Sequence, residues 1–310
     1  MPLVSVCIPV YKQKQYLQKC LNSVLEQDLS DVELIISDDT PDDSIGTFIE
    51  AILKDRPYIY HRNEPALGSP ENWNAAIRKA SGKYIKVLHH DDYFTQKDSL
   101  RLMVERIERD GSDFLYCDTD VWFVSPDTHK LNFTNAKQLS LIKERPGFLF
   151  FKNLIGAPSA TLYRNDKELE FDKRFKWLVD VEFYIRYLKK HPKLTYLNKA
   201  LICTCHGTEG QMTGSVENDK SIQLKEHVLL YNKIKNDGFA FHEFFDYLFD
   251  KYKIKTMDEL VSIVPEAMEN KAFFLNVAAN TAKGRGFKDF KRRFYESRYN
   301  NYIFHLEQFA

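Results

Sequence analysis

The chain has 310 residues, 44% of them hydrophobic, enough to bury a sizeable core in one large domain or in one domain with an appendage. Lysine plus arginine number 44 and aspartate plus glutamate number 44, so no global field draws the chain to nucleic acid, and any bound anion has to be held locally. Cys7, Cys20, Cys117, Cys203 and Cys205 are scattered and odd in number, which does not make a disulfide framework and points to a reducing, cytoplasmic compartment.

No apolar run approaches the ~20 residues of a spanning helix. The N-terminus shows no basic segment followed by an apolar one and a cleavage site, so any work at a membrane is expected from its surface.

Val4 to Ile8 is a short apolar run that ends at Pro9, after which Tyr16, Leu17, Cys20, Leu21 and Val24 recur at helical spacing. Val32 to Ile36 is a second buried run, closed by Ser37-Asp-Asp-Thr40 and followed by a helix with Ile45, Phe48, Ile49, Ile52 and Leu53 on one face. A third strand starts at Ile59-Tyr60. The helix after Ser69-Pro70 aligns Trp73, Ala76, Ile77 and Ala80. Tyr84 to Leu88 leads into His89-His90-Asp91-Asp92, then a helix with Leu100, Met103, Val104 and Ile107 aligned, then a strand at Phe114 to Cys117.

Strands that alternate with helices, and are too apolar to keep one face wet, predict a doubly wound α/β fold with a mainly parallel sheet. In such sheets a ligand sits outside the carboxyl ends of the strands. The residues there are Tyr11, Asp38-Asp39, Asn63 and His89 to Asp92.

Past Val121 to Val124, the turn signal Ser125-Pro-Asp-Thr128 opens a polar stretch to about Pro146 that reads as a long loop or lid. From about Gln223 aromatic and lysine residues fall at helical spacing, which predicts a C-terminal helical appendage over 216–310 behind a catalytic domain over 1–215. Near its end Lys283, Arg285, Lys288, Lys291, Arg292 and Arg293 interleave with Phe287, Phe290 and Phe294. That composition suits an interfacial helix touching an anionic membrane, but is better explained by a helix packing its aromatics on the domain with a solvated basic face.

One Asp-Asp pair at a strand tip is explained as well by a solvated turn as by a site. Two pairs on two strands of one parallel sheet are harder to explain so, because like charges repel unless a cation joins them, and a hard divalent ion that also meets a substrate phosphate is the simplest solution. Adjacent histidine and aspartate also suit the dyad of metal-dependent HD-type phosphohydrolases, although those sit on helices and this one follows a β-run. In a strand-like tip alternate residues share a face, so His90 and Asp92 point one way and His89 and Asp91 the other. Cys203-Thr-Cys205 is a weak zinc signature without a second pair, in a stretch that reads as a strand. His206 ends that strand before a glycine-bearing loop, where it is either a phosphate-side imidazole or a satisfied loop histidine. Asp180 opens a helix, where an aspartate is expected for capping alone.

The motifs Val4 to Tyr11, Glu33 to Thr40, Gly68 through Asn72-Trp-Asn74 to Tyr84, and His90 to Asp92 together resemble glycosyltransferase family 2, nucleotide-sugar enzymes of GT-A fold, over roughly residues 3–215. The resemblance implies that Pro9, Tyr11, Asp39, Asn74 and Asp91 line the nucleotide, with Asp39 at the base. It implies Asp92 as the carboxylate on Mn²⁺ or Mg²⁺, with His90 standing where the family places an acid, and His206 as a further metal or diphosphate ligand. It makes Asp180 the catalytic base, with Val179 before it instead of an acid.

The implied reaction is inverting transfer of a sugar from a UDP- or dTDP-sugar to a hydroxyl of a glycan or lipid-linked acceptor. The alternatives are a catalytically silent nucleotide- or glycan-binding relative and a metal-dependent phosphohydrolase. A nucleotidyltransferase or a dehydrogenase would need a glycine-rich phosphate loop near the first strand, and Tyr11-Lys-Gln-Lys-Gln15 is not one.

Overall fold

In the first strand, β1 (Val4–Val10), all seven residues are buried, so the strand has to lie inside a sheet covered on both faces. The computed structural model describes residues 1–283 apart from 55, 209–213 and 215. In it β1 pairs in parallel with β2 (Val32–Asp38) and with β4 (Tyr84–Val87), and β2 pairs in parallel with β3 (Ile59–Arg62). Each parallel step needs a crossover, supplied by α1 (Lys14–Leu25), α2 (Ser44–Leu53) and α3 (Glu71–Lys79).

The rest of the sheet comprises β5 (Tyr93–Phe94), β6 (Phe114–Phe123), β7 (Thr128–Asn132), β8 (Thr161–Arg164) and β9 (Leu194–His206). The order is β3-β2-β1-β4-β8-β6-β9-β5, with β7 added beside β6. The parallel, doubly wound pattern holds from β3 to β4. Beyond it, β8 enters antiparallel to both β4 and β6, while β6 and β9 run parallel, so the sheet is mixed. Helices α4 (Ser99–Asp110) and α6 (Val179–Lys190) belong to the same unit, which comprises residues 1–135, 154–175 and 179–211.

Gly82 shows why the Ala80-Ser-Gly82 turn needs its glycine. A Cβ there would lie 2.7 Å from the Ser5 backbone nitrogen and 2.9 Å from the Val4 carbonyl carbon, closer than real contacts allow. The freed space lets the Gly82 N–H reach Ser5 Oγ at 2.8 Å and Glu33 Oε1 at 2.9 Å, which ties the turn before β4 to β1 and β2.

The stretch 125–146 is not a long loop. Residues 128–132 return antiparallel along β6, and α5 (Ala136–Glu144) follows. All five residues of β7 are exposed and α5 buries only Leu141 and Ile142, so neither carries the apolar periodicity by which such elements are read.

The second unit gathers 136–153, 176–178 and 212–310. Its described helices are α5, α7 (Lys220–Ile234), α8 (Phe241–Tyr252), α9 (Met257–Ile263) and α10 (Lys271–Lys283). Phe150, Phe244, Phe245 and Phe274 are buried in it, with ring centroids 4.7 Å apart for Phe150 and Phe244 and 5.1 Å for Phe245 and Phe274. Thr256 and Glu259 form a capping box that starts α9. In this unit the carboxylate of buried Glu226 accepts backbone N–H groups from Lys176, Trp177 and Leu178 at 2.7, 2.9 and 2.7 Å. Arg285 to Phe294, most of the basic and aromatic run for which membrane contact is weighed against packing on the domain, lies outside the described residues.

Candidate active site

Strand β4 stops at Val87, and residues 89–92 fold into a turn closed by the Asp92 N–H on the His89 carbonyl at 2.9 Å. The turn replaces the alternation expected of a strand tip. His89, Asp91 and Asp92 converge, each offering a ligand atom within 4.8 Å of the others. His90 points elsewhere, its Nδ1 3.2 Å from the Pro9 carbonyl and its Nε2 3.1 Å from Gln13 Oε1.

Two neighbours hold the turn in place. Asp92, 3% exposed, accepts the Cys205 N–H at 3.0 Å, and the His89 N–H donates to Ser159 Oγ at 3.0 Å. Beneath them Lys86, with no exposed surface, donates from Nζ to the carbonyls of Ser159 and Thr161. Burial drives the pKa of Lys86 down to about 8. Neither Lys86 nor Ser159 is conspicuous in the sequence. The available signal is a single lysine inside a strand whose other members are all apolar.

Burial, and then the charge on Asp91, push Asp92 well above the usual carboxylate range. Burial pushes His89 down to about 4, although Asp91 pulls the other way. The His89 ring is 21% exposed, yet its Nε2 is buried without a hydrogen-bond partner. An imidazole whose Nδ1 lies 3.9 Å from Asp92 Oδ2, together with two carboxylates and with desolvation working against the charged forms, is a donor set that fits a divalent cation of the Mn²⁺ or Mg²⁺ type.

The other carboxylate pair is not part of that group. Asp38 accepts the Thr40 N–H at 2.8 Å and the Tyr60 hydroxyl at 2.9 Å. Asp39 accepts from Asn63 Nδ2 at 2.9 Å, the Leu67 N–H at 3.0 Å and the Gly68 N–H at 2.7 Å. The expectation that a cation reconciles both pairs is corrected here: dipoles of the chain's own N–H and O–H groups stabilise Asp38 and Asp39. Asn63 Nδ2 also reaches Asn72 Oδ1 at 3.1 Å, and Asn72 Nδ2 donates to the Val10 carbonyl at 3.1 Å, so the ends of β1 and β2 and the 63–68 segment form one network.

Tyr11 is 49% exposed beyond β1. Lys12 and Gln13 follow it with φ of 58° and 55°, a left-handed pair without glycine, held by the Lys12 N–H on Thr40 Oγ1 at 2.8 Å and by the Gln13–His90 contact. Asn74 is buried, with its amide spanning to the Phe171 backbone in both directions at 2.9 Å. Asp180 stands in the first turn of α6, partly exposed, and its Oδ1 accepts the Val181 N–H at 2.8 Å. His206 is not among the side chains that converge on Asp92; it is exposed, with its ring 5.0 Å from that of Phe123. Two residues on, Thr208 reaches the group, its Oγ1 3.3 Å from Asp91 Oδ2.

A sheet of this order, with an acidic turn after β4 and carboxylates closing β2, is the GT-A fold of glycosyltransferases. The chain belongs to glycosyl transferase family 2, whose model matches residues 5–169, more than half of its length. It is 29% identical over 201 residues to an uncharacterized protein, MT1568, of Mycobacterium tuberculosis, covering 60% of this chain and 62% of that protein. It is 34% identical over 120 residues to the abequosyltransferase RfbV of Salmonella typhimurium, covering 37% of this chain and 35% of that one. The chain thus spans less than two thirds of both relatives. Among solved structures, S. aureus TarS 1-349 in complex with UDP-GlcNAc shares the fold with a TM-score of 0.64 at 16% identity, over 91% of this chain and 90% of that one. The mannosyltransferase PcManGT of Pyrobaculum calidifontis, in complex with GDP-Man and Mn²⁺, gives 0.58 at 12%, over 92% and 88%.

Proposed function

We propose that this chain is a metal-dependent, inverting glycosyltransferase that moves a hexosyl or related sugar from a UDP- or dTDP-sugar to a hydroxyl of a glycan or lipid-linked acceptor. The convergence of His89, Asp91 and Asp92 at the end of β4 carries the reading, in a chain whose family is that of sugar transferases. Relatives support the acceptor class: one is a GalNAc(5)-diNAcBac-PP-undecaprenol beta-1,3-glucosyltransferase of Campylobacter jejuni, 33% identical over 94 residues and 30% of each chain.

His89, Asp91 and Asp92 would hold Mn²⁺ or Mg²⁺, which when bound neutralises charge on the departing nucleoside diphosphate. Asp39 spends three acceptor positions on its own loop, out of the roughly four a carboxylate offers. The remaining one suits the N3–H of uracil or thymine, whereas cytosine presents an acceptor there. Pro9, Tyr11, Asn74 and Asp91 flank the same nucleotide, Asn74 by fixing residue 171. Asp180 takes the proton of the acceptor hydroxyl as it attacks the anomeric carbon, and one base with a single displacement inverts the configuration. His206 remains a candidate on the diphosphate side. Five free, buried cysteines fit a cytoplasmic location, with peripheral membrane contact at a lipid-linked acceptor; among the described residues no helix is long and apolar enough to cross a membrane.

A screen of purified protein against UDP-, dTDP-, GDP- and CDP-sugars with Mn²⁺, reading released nucleotide and transferred sugar, tests the proposal. Turnover of uridine or thymidine donors supports it; nucleotide binding without turnover on any donor and acceptor would show a silent relative instead.

A further inference from the structure

A second group of metal-ligating side chains lies on the sheet apart from the acidic turn. Cys203 on β9 pairs directly with Asp120 on β6, and Trp122, two residues along β6, pairs with His129 on β7. Paired residues share a face, and so do alternate residues of one strand. Asp120, His129 and Cys203 therefore project from one side of three adjacent strands, and their ligand atoms lie within 4.8 Å of one another. We propose that Asp120, His129 and Cys203 form a binding site for a thiophilic divalent cation, Zn²⁺ above all, with a solvent molecule in the fourth position.

The donor set selects the ion. One thiolate, one imidazole and one carboxylate are the ligand types of zinc, whereas the turn at 89–92 offers mainly oxygens and suits a harder ion. Burial is graded in the way an accessible site requires: Cys203 has no exposed surface, Asp120 is 33% exposed and His129 50%. The imidazole and the carboxylate already meet, Nδ1 to Oδ2, at 2.7 Å. Zinc at about 2.0 Å from each needs that gap to open to about 3.3 Å in a tetrahedral site, a small shift for a side chain on an exposed hairpin strand.

The sulfur ligand of zinc is the thiolate, so Cys203 gives up its proton when the cation binds. Binding the cation releases that proton from sulfur to solvent. Lys19 is the competing positive charge, with Nζ 3.9 Å from the Tyr93 ring centre and 4.5 Å from that of Trp122. If Lys19 alone balances Asp120, no cation is needed.

Co²⁺ titration of the full chain, stripped of metal and then kept in excess Mg²⁺, separates these outcomes, because a thiolate bound to cobalt gives a charge-transfer band in the near ultraviolet. One equivalent of Co²⁺ should produce the band with release of a proton. Cys203→Ser should abolish it, and His129→Ala, an exposed change that leaves the fold intact, should weaken Co²⁺ binding about tenfold or more. His89→Ala should keep the band. Absence of the band in the wild type, its survival in Cys203→Ser, unchanged Co²⁺ affinity in His129→Ala, or loss of the band in His89→Ala would overturn the proposal.

Discussion

His89 and Asp92 face one another across a single turn, Nδ1 3.9 Å from Oδ2, while His90 between them turns away to the Pro9 carbonyl and Gln13. Two adjacent imidazoles thus do different work, and metal affinity separates them. His89→Ala should weaken Mn²⁺ binding by about tenfold to a hundredfold, judged by what even supporting residues contribute at metal sites. His90→Ala should leave it within a few fold. Calorimetric titration of both variants checks this, and equal losses would show that the pair acts through the fold of the turn.

Asp39 binds the 63–68 segment through three hydrogen bonds, so Asp39→Asn should lower stability as well as nucleotide affinity. One acceptor oxygen becomes an NH₂ group facing an N–H donor, a conflict costing about 1–3 kcal/mol. The melting temperature should fall, and UDP and dTDP should lose their advantage over CDP. Wild-type protein that holds CDP as tightly as UDP would refute the role of Asp39 at the base.

Buried groups elsewhere set the pH range in which the chain stays folded. His227 on α7 is 6% exposed, packs its ring 4.8 Å from that of Phe244 and donates from Nδ1 to the Gln223 carbonyl at 2.7 Å. Burial lowers its pKa from 6.5 to about 4. The unfolded chain then binds the proton more readily than the folded one, so the contribution of His227 is complete above about pH 6.5 and is lost as pH falls toward 4, by about 3 kcal/mol in all. His227→Gln can still donate to that carbonyl but does not titrate. Its melting temperature should decline less between pH 6.5 and 4 than that of the wild type; parallel declines would contradict the assignment.

The parallel half of the sheet was legible because β1, β2 and β4 are apolar runs separated by amphipathic helices, a pattern with few topological solutions. The hairpin β6–β7 was not, since an edge strand with every residue exposed has no periodicity to read. The site divides likewise. Asp91 and Asp92 stand out as acids at a strand end, but the choice between His89 and His90 depends on where β4 stops, one residue before Leu88, and the alternation rule then assigns the wrong partner. Lys86, Ser159 and Thr208 act by contacts across roughly 70 to 120 positions of sequence, which no local pattern records.

Asp180 carries the chemistry in the proposed scheme, and its Oδ1 accepts the Val181 N–H at 2.8 Å. An amide keeps the outline and the acceptor oxygen for that N–H but cannot take a proton. The most direct measurement is the rate of sugar transfer by Asp180→Asn beside the wild type, with Mn²⁺, on the donor and acceptor that the screen identifies, together with UDP affinity and melting temperature. Transfer should fall about 10² to 10⁴-fold, the usual worth of a general base, with UDP affinity and melting temperature unchanged. Transfer at the wild-type rate would contradict catalysis by Asp180 and leave it a helix-capping aspartate.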